Sequence, residues 1–489
     1  MRTWISVYLP RLPLEALRPC WSEPGQYVLI DDQRALTVSR LAAQAGVEVG
    51  MRSGGVATMA PQAVLLDRSP AKERVALDAV SLALLQFTPE VAAIGESGML
   101  LDVTASLRLF GGHIALCRRI RAVVHALGFS MNLGCGPTAM GAWMLAVARQ
   151  STRHRPHRRA VKIKTLARRL DWLDCRILPS SAKHVEWFES IGCDTLGKLR
   201  GLPRAGLQRR TSLPLLDELD RAYGLAPELF EWVVPPATFH VKVELLERIE
   251  HADALLADAH RLILQLIGWL VAMKLAVTRL VLGMEHERGR AAVPPTEIEL
   301  ALAEPTWREE HLERLLKERL ARISLAGPVI ALSLKATQFS EMAQLSEALF
   351  PEPGGTPGDF ARLMELLIAR LGKENVLAHV RRAEHRPEVA NCWLPAVDKR
   401  PKTDEVQEIA PRPFWLLAKP IELITRGDRP FYGSPLKVID GPERIESGWW
   451  DDKFEARDYY VAQGSDSTCY WLYLERSASP RWFLHGLFG

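Results

Sequence analysis

Glu96 and Asp102 are the acids whose setting could serve phosphoryl transfer. They lie in the apolar segment Ala93-Ile94-Gly95-Glu96-Ser97-Gly98-Met99-Leu100-Leu101-Asp102-Val103-Thr104, and the opening strand, Trp4-Ile5-Ser6-Val7-Tyr8-Leu9-Pro10-Arg11-Leu12, brings no acid to meet them. Transfer by two metal ions needs several carboxylates converging on cations about 3.5–4 Å apart, and magnesium takes hard oxygen ligands in near-octahedral array. Glu96 could approach such a site through a bulge, whereas Asp102 reads as a strand-end or turn carboxylate. A second chemistry is phosphate neutralisation. Arg149, Arg153, His154, Arg155, His157, Arg158, Arg159, Lys162, Lys164, Arg168 and Arg169 follow one another with no acid among them. A mixed-sign run would read as a solvated face, but a single-sign run suits a nucleic-acid backbone.

These residues must be held by recognisable elements. Short apolar strands are expected at Tyr27 to Ile30 and Ala35 to Ser39, a helix at Ala71 to Gln86, a strand pair at Val91 to Thr104, a helix at His113 to Leu127 and a strand at Met131 to Cys135. Gly136-Pro137-Thr138-Ala139 opens a further helix, and this strand and helix alternation implies an α/β layer. Phe188 to Leu199, with Gly192 in the middle and Gly201-Leu202-Pro203 at the end, reads as helix, glycine turn, helix and stop. Residues 237 to 337 alternate apolar strands with two long helices, Ala252 to Lys274 and Trp307 to Ile323. The apolar run Leu262 to Met284 is broken by Gln265, Lys274 and Arg279, so a core helix followed by a strand is expected there rather than a membrane span.

Taken together, the motifs resemble the Y-family (translesion) DNA polymerases. The opening strand is similar to the family's Asp-x-Asp motif with Tyr8 and Pro10 at the Asp positions. Residues 95 to 102 are similar to its Ser-Ile-Asp-Glu-Ala-(aromatic)-Leu-Asp strand with Ser97 and Gly98 at the catalytic pair. Ser39 to Val47 resembles the family's fingers motif, with Arg40 and Ala43 where its phosphate-contacting Tyr and Arg would stand. The resemblance implies an α+β multidomain fold: a palm from residues 1–13 and 76–165, fingers from 14–75, a helix-hairpin-helix thumb from 166–236 and a little finger from 237–343. In such a thumb, backbone N–H groups near Gly192 and Gly201 would hold a phosphate, and Arg153, Arg155, Arg158, Arg159, Lys162 and Lys164 would follow the DNA backbone.

Past the little finger, Gln344-Leu345-Ser346-Glu347-Ala348-Leu349-Phe350 precedes a Pro/Gly linker that ends at residue 358. Peptides that dock on the bacterial β sliding clamp pair a Gln with a terminal Leu-Phe. Two extra residues separate Gln344 from Leu349 and Phe350 here, so a plain helix end before a linker is the other reading. Residues 359–489 contain His385-Arg386-Pro387-Glu388 and three expected antiparallel strands, Arg457 to Val461, Tyr470 to Glu475 and Trp482 to Leu487. Trp449, Trp450, Tyr459, Trp471, Tyr473 and Trp482 are candidates for contacting protein partners, aromatic residues being as common in interfaces as in cores.

Over the whole chain the resemblance is to the ImuB type of Y-family protein. It implies a non-catalytic subunit of a DNA-damage-induced (SOS) mutasome, with no metal and no cofactor. Such a protein binds primer-template DNA and the sliding clamp and recruits a DnaE-type error-prone polymerase and the RecA-like ImuA. The rivals are an active translesion polymerase with displaced metal ligands and a DNA-binding recombination accessory. Composition is compatible with all three. At 489 residues, three to four domains are expected, and with a net charge of +4 any nucleic-acid affinity must be local. Seven scattered cysteines without CxxC spacing argue for reduced thiols, and with no leader-like start the expectation is a soluble, cytoplasmic protein.

Overall fold

A computed structural model describes all residues except 1, 23, 149–156, 288–293, 343–356, 383, 397–410, 428, 451–453, 478 and 489. The chain forms two compact units, Met1–Leu366 and Leu367–Gly489.

In the first unit, β1 (Trp4–Tyr8) is followed by the one-turn helix α1 (Leu12–Glu15), then β2 (Tyr27–Asp31), β3 (Arg34–Val38), α2 (Arg40–Gln44), α3 (Ser53–Met59) and β4 (Val64–Asp67). The hairpin β2–β3 carries β4 parallel beside β2, a strand that short apolar runs alone did not suggest. Val28, Ala35, Ala42, Val47 and Val56 make a small core of their own for this segment. Helix α4 (Pro70–Leu84) starts at Ser69, whose hydroxyl accepts from Lys72 N, with Pro70 fixing the first turn. It leads to β5 (Val91–Ile94), β6 (Gly98–Asp102), α5 (His113–Ala126), β7 (Asn132–Gly136) and α6 (Ala139–Val147).

The central sheet runs β5-β6-β1-β7. Strand and helix alternation suggested an α/β layer, but every pairing in this sheet is antiparallel. Period-two burial divides its faces: Ile5 and Val7 point into the main core, whereas Trp4 and Tyr8 face α6.

Helices α7 (Ile163–Leu170), α8 (Val185–Ser190), α9 (Leu196–Gly201), α10 (Arg204–Arg210) and α11 (Leu213–Tyr223) form a separate helical core around Leu166, Phe188, Leu196 and Leu215. Beyond them come β8 (His240–Ile249), α12 (Leu256–Met273), β9 (Leu275–His286), β10 (Thr296–Thr306), α13 (Glu309–Leu320) and β11 (Val329–Glu341). The sheet order is β10-β9-β11-β8. Its helix α12 crosses α4 so closely that a Cβ on Gly268 would meet Leu82 O at 1.9 Å. One continuous core therefore joins this sheet to the central one. Ala252–Met273 is the one stretch, among the described residues, long and apolar enough to cross a membrane, and most of it is buried inside the protein.

Helix α14 (Pro357–Leu371) enters the second unit, which continues with β12 (Leu377–Arg381), β13 (Asn391–Pro395), β14 (Trp415–Arg426), β15 (Arg429–Tyr432), β16 (Ser434–Pro435), β17 (Lys437–Ser447), β18 (Glu455–Gln463), β19 (Cys469–Glu475) and β20 (Trp482–Leu487). The three expected carboxy-terminal strands are β18, β19 and β20. They lie inside a seven-stranded sheet, β16-β15-β14-β20-β19-β18-β17, rather than forming a small unit by themselves.

Candidate functional site

Strand β1 pairs with β6 in a register that places Tyr8 opposite Gly98 and Trp4 opposite Asp102. Helix α6 lies directly on this face of the sheet. Thr138 caps it, its hydroxyl accepting from Gly141 N at 3.2 Å, and Gly134 on β7 leaves room, since a Cβ there would meet Ala142 O at 1.9 Å. The approach brings the Trp143 indole against Tyr8, edge to face at 5.4 Å between centroids. A Cβ on Gly98 would fall 2.1 Å from Trp143 Cζ3, so the indole occupies the volume that any side chain at 98 would need. Trp4, Leu100, Ala142 and Trp143 complete an apolar cluster on this face. Pro10 is exposed beyond the end of β1, and Ser97 lies in the β5–β6 turn with its carbonyl accepting from Leu9 N at 2.9 Å.

The two acids do not converge. Asp102 is buried at the far end of β6, where its carboxylate accepts from Thr104 N and the Thr104 hydroxyl and faces Arg2 at 3.8 Å. Glu96 is 87% exposed, and its carboxylate is 3.4 Å from Arg68, which also binds Asp31 and Glu73. Thus the acid nearest in sequence to the expected pair faces the small β2-β3-β4 unit instead of the sheet. Arg40 and Ala43 are both exposed on α2.

A carboxylate that sequence reasoning missed sits at the start of α6. Glu228 accepts from Ala139 N at 2.9 Å and Met140 N at 2.7 Å, occupying the anion-attracting end of that helix. Burial nevertheless raises its pKa above the ordinary carboxylate value. Two residues further on, Phe230 packs on Trp4 at 4.6 Å, and Trp232 pairs with Ala92 on the edge strand. No local motif marks Glu228, because its partners lie about ninety residues earlier.

Arg153 and Arg155 fall outside the described residues. Arg158 turns inward and donates to Ala148 O at 3.1 Å, and burial lowers its pKa. Arg159, Lys162 and Lys164 stand just before and within the first turn of α7, and all three are exposed. The helical hairpin has the expected order: Gly192 takes a left-handed turn, φ 66°, between α8 and α9, and Gly201 is the last residue of α9, before the Leu202-Pro203 stop. The first N–H groups of α9 are already bonded, Leu196 N to Leu173 O, Gly197 N to Asp171 O and Lys198 N to the Thr195 hydroxyl. That helix end offers no open phosphate site.

Gln344, Leu345, Leu349 and Phe350 lie outside the described residues. Among the carboxy-terminal aromatics, Tyr459, Trp471 and Tyr473 are 1%, 2% and 5% exposed and form the sheet's own core, which corrects their reading as partner contacts. Trp482 is half-buried against a second small core. Trp449 and Trp450 are 75% and 56% exposed and pack edge to face. The Arg386 guanidinium of the His-Arg-Pro-Glu segment lies 5.8 Å from the Trp450 ring, and its bond to Glu384 holds that carboxyl down at about 2.

Residues 23–147 match the impB/mucB/samB family model. Protein ImuB of Caulobacter vibrioides (strain NA1000 / CB15N) is 25% identical over 472 residues, covering 91% of this chain and all of that protein. DNA polymerase IV of Dehalococcoides mccartyi (strain CBDB1) is 27% identical over 168 residues, 34% of this chain and 42% of that protein. Among solved structures, an insertion ternary complex of Dbh DNA polymerase covers 70% of this chain at 16% identity with a TM-score of 0.39.

Proposed function

We propose that this chain, which is an ImuB-type homologue of the Y-family polymerases, acts in translesion synthesis as a scaffold and not as a polymerase. The observation that carries the reading is the filled face of the central sheet. Trp143 packs on Tyr8 in the space beside Gly98, and no two carboxylates meet there among the described residues. Two-metal phosphoryl transfer finds no set of carboxylate oxygens to hold its ions in such a setting.

In this reading residues 1–13 with 76–165, 14–75, 166–236 and 237–343 serve as palm, fingers, thumb and little finger that grip primer-template DNA without extending it. Arg159, Lys162 and Lys164 contact phosphates. Gln344, Leu345, Leu349 and Phe350 dock on the β sliding clamp, and residues 359–489 recruit a DnaE-type error-prone polymerase and an ImuA-like partner, with Trp449 and Trp450 as exposed anchors. The setting is the SOS response in the cytoplasm.

Primer extension by the purified chain with magnesium or manganese tests the central claim. No templated incorporation is expected. Extension that vanished on Glu96→Ala would replace the scaffold by an active polymerase with a displaced ligand.

A further inference from the structure

Helices α12 and α13 pack on each other and both feed the main core, and a group of ligating side chains lies between them. His260 on α12 faces Glu309 and Glu313 on α13, and the nearest nitrogen and oxygen atoms of all three lie within 4.8 Å of one another. Glu309 and Glu313 are four residues apart, which sets both on one helix face. His260 Nε2 is 2.9 Å from Glu309 Oε1, and the pair is only partly exposed, 23% and 35%. Arg261, the nearest cation in sequence, is engaged by Asp258 at 3.0 Å. Among the described residues no lysine or arginine pairs with Glu309 or Glu313, so two carboxylates share one imidazole.

We propose that His260, Glu309 and Glu313 form a binding site for a divalent transition metal of the zinc class that clips α12 to α13. A tetrahedral zinc ion with ligands at about 2.0–2.2 Å keeps its donor atoms about 3.4 Å apart. The 2.9 Å contact must open slightly and the third donor must close in by at most about 1.4 Å, movements within the reach of glutamate rotamers. One imidazole nitrogen with two carboxylates, leaving a fourth position for water, suits zinc, cobalt or nickel better than magnesium, which takes oxygen and keeps its waters. The ion would supply the balancing charge that the imidazole alone cannot, and it would sit outside the central sheet face, so the inference does not depend on the scaffold reading.

The test is equilibrium dialysis and calorimetry with zinc on the full chain after chelator treatment, with the visible spectrum of the cobalt form as the reporter of ligand type. One equivalent should bind, the cobalt form should lack a sulfur-to-metal band, and magnesium at equal concentration should not compete. His260→Gln and Glu313→Gln should each weaken binding at least about tenfold. Glu313→Gln is the decisive variant, because Glu313 is not the partner of the 2.9 Å contact and its replacement should leave the metal-free melting temperature unchanged. Undiminished zinc binding by Glu313→Gln, a sulfur-to-cobalt band pointing to the cysteines, or equal competition by magnesium would each overturn the site.

Discussion

If Trp143 fills the space that a side chain at position 98 would need, Gly98→Ala and Trp143→Ala must be strongly coupled. The methyl group introduced by Gly98→Ala would start 2.1 Å and 2.6 Å from two ring carbons of an indole that is only 7% exposed. Relief requires the ring to move by about an ångström or more inside a packed cluster, and over-packing of that kind costs about 1–3 kcal/mol. Trp143→Ala alone removes a large buried ring and should cost about 3–5 kcal/mol. In the double variant the methyl enters the space the ring has left, so the total should fall short of the sum by about 1–3 kcal/mol. Relief should be incomplete, because the same methyl also lies 2.9 Å from Ile94 O, a backbone contact that ring removal does not change. The assay is urea unfolding of the four proteins. Hydrogen exchange in Val91–Asp102 and Ala139–Val147 would isolate the first unit from the second, since a two-unit chain need not unfold in one step. Additive costs, or a neutral Gly98→Ala, would refute the filled-site argument. The same geometry predicts that writing acids back at 8, 10, 97 and 98 yields a destabilised protein and no polymerase unless Trp143 is also removed.

Three further outcomes follow from placement and charge. Replacing Arg159, Lys162 and Lys164 with Ala should flatten the slope of log affinity for duplex DNA against log salt by about 0.9 for each phosphate no longer neutralised; an unchanged slope would make them a solvated face. His485 is fully buried, with Nδ1 2.8 Å from the Tyr459 hydroxyl and Nε2 facing Glu388 at 3.2 Å, and burial pushes its pKa down to about 4. Because the unfolded imidazole binds its proton near 6.5, the second unit should lose about 3 kcal/mol of stability as pH falls from above about 6.5 towards 4. Urea titrations across that range should show the loss in the native chain and a flatter profile in His485→Gln. Trp449→Ala with Trp450→Ala should abolish pull-down of the DnaE-type polymerase or the ImuA-like partner without lowering the melting temperature, whereas Trp471→Ala should unfold the sheet; retained pull-down by the double variant would move the docking surface elsewhere.

Local order was the legible part of the fold. Apart from β4, the strands up to β7 and helices α4, α5 and α6 follow period-two and helical apolar spacing, and Ser39, Ser69 and Thr138 mark helix starts by residue type. Pairing was less legible. Strand β4 carries no alternation, its residues being mostly exposed, and it is held by backbone bonds beside β2. The antiparallel central sheet could not be told from a parallel one, because helical connections occur in both. Strands β14 to β17 were missed because their faces are largely exposed, so apolar spacing has no core to report.

The identities of Tyr8, Pro10, Ser97 and Gly98 were visible in the sequence, but the packing that fills the space beside Gly98 was not. Gly98 reads in sequence as a missing acid. In the structure it is a position where a Cβ is excluded by a helix that arrives from about forty residues later, and Gly134 permits that arrival. The acids mislead in the same way: Glu96 is one residue from the expected place yet points to Arg68, since the turn carries it off the sheet face. Aromatic density misleads in the opposite sense. Tyr459 and Trp471 stack at 4.1 Å inside their sheet, whereas Trp449 and Trp450, equally aromatic in sequence, remain open. Residue type names the chemistry that a position could perform, and only the long-range contacts decide whether a ligand or a neighbouring side chain takes the space. Beside Gly98 a tryptophan takes it, so if the scaffold reading holds, restored acids alone should not bring polymerase chemistry and the helix that carries Trp143 must be repacked as well.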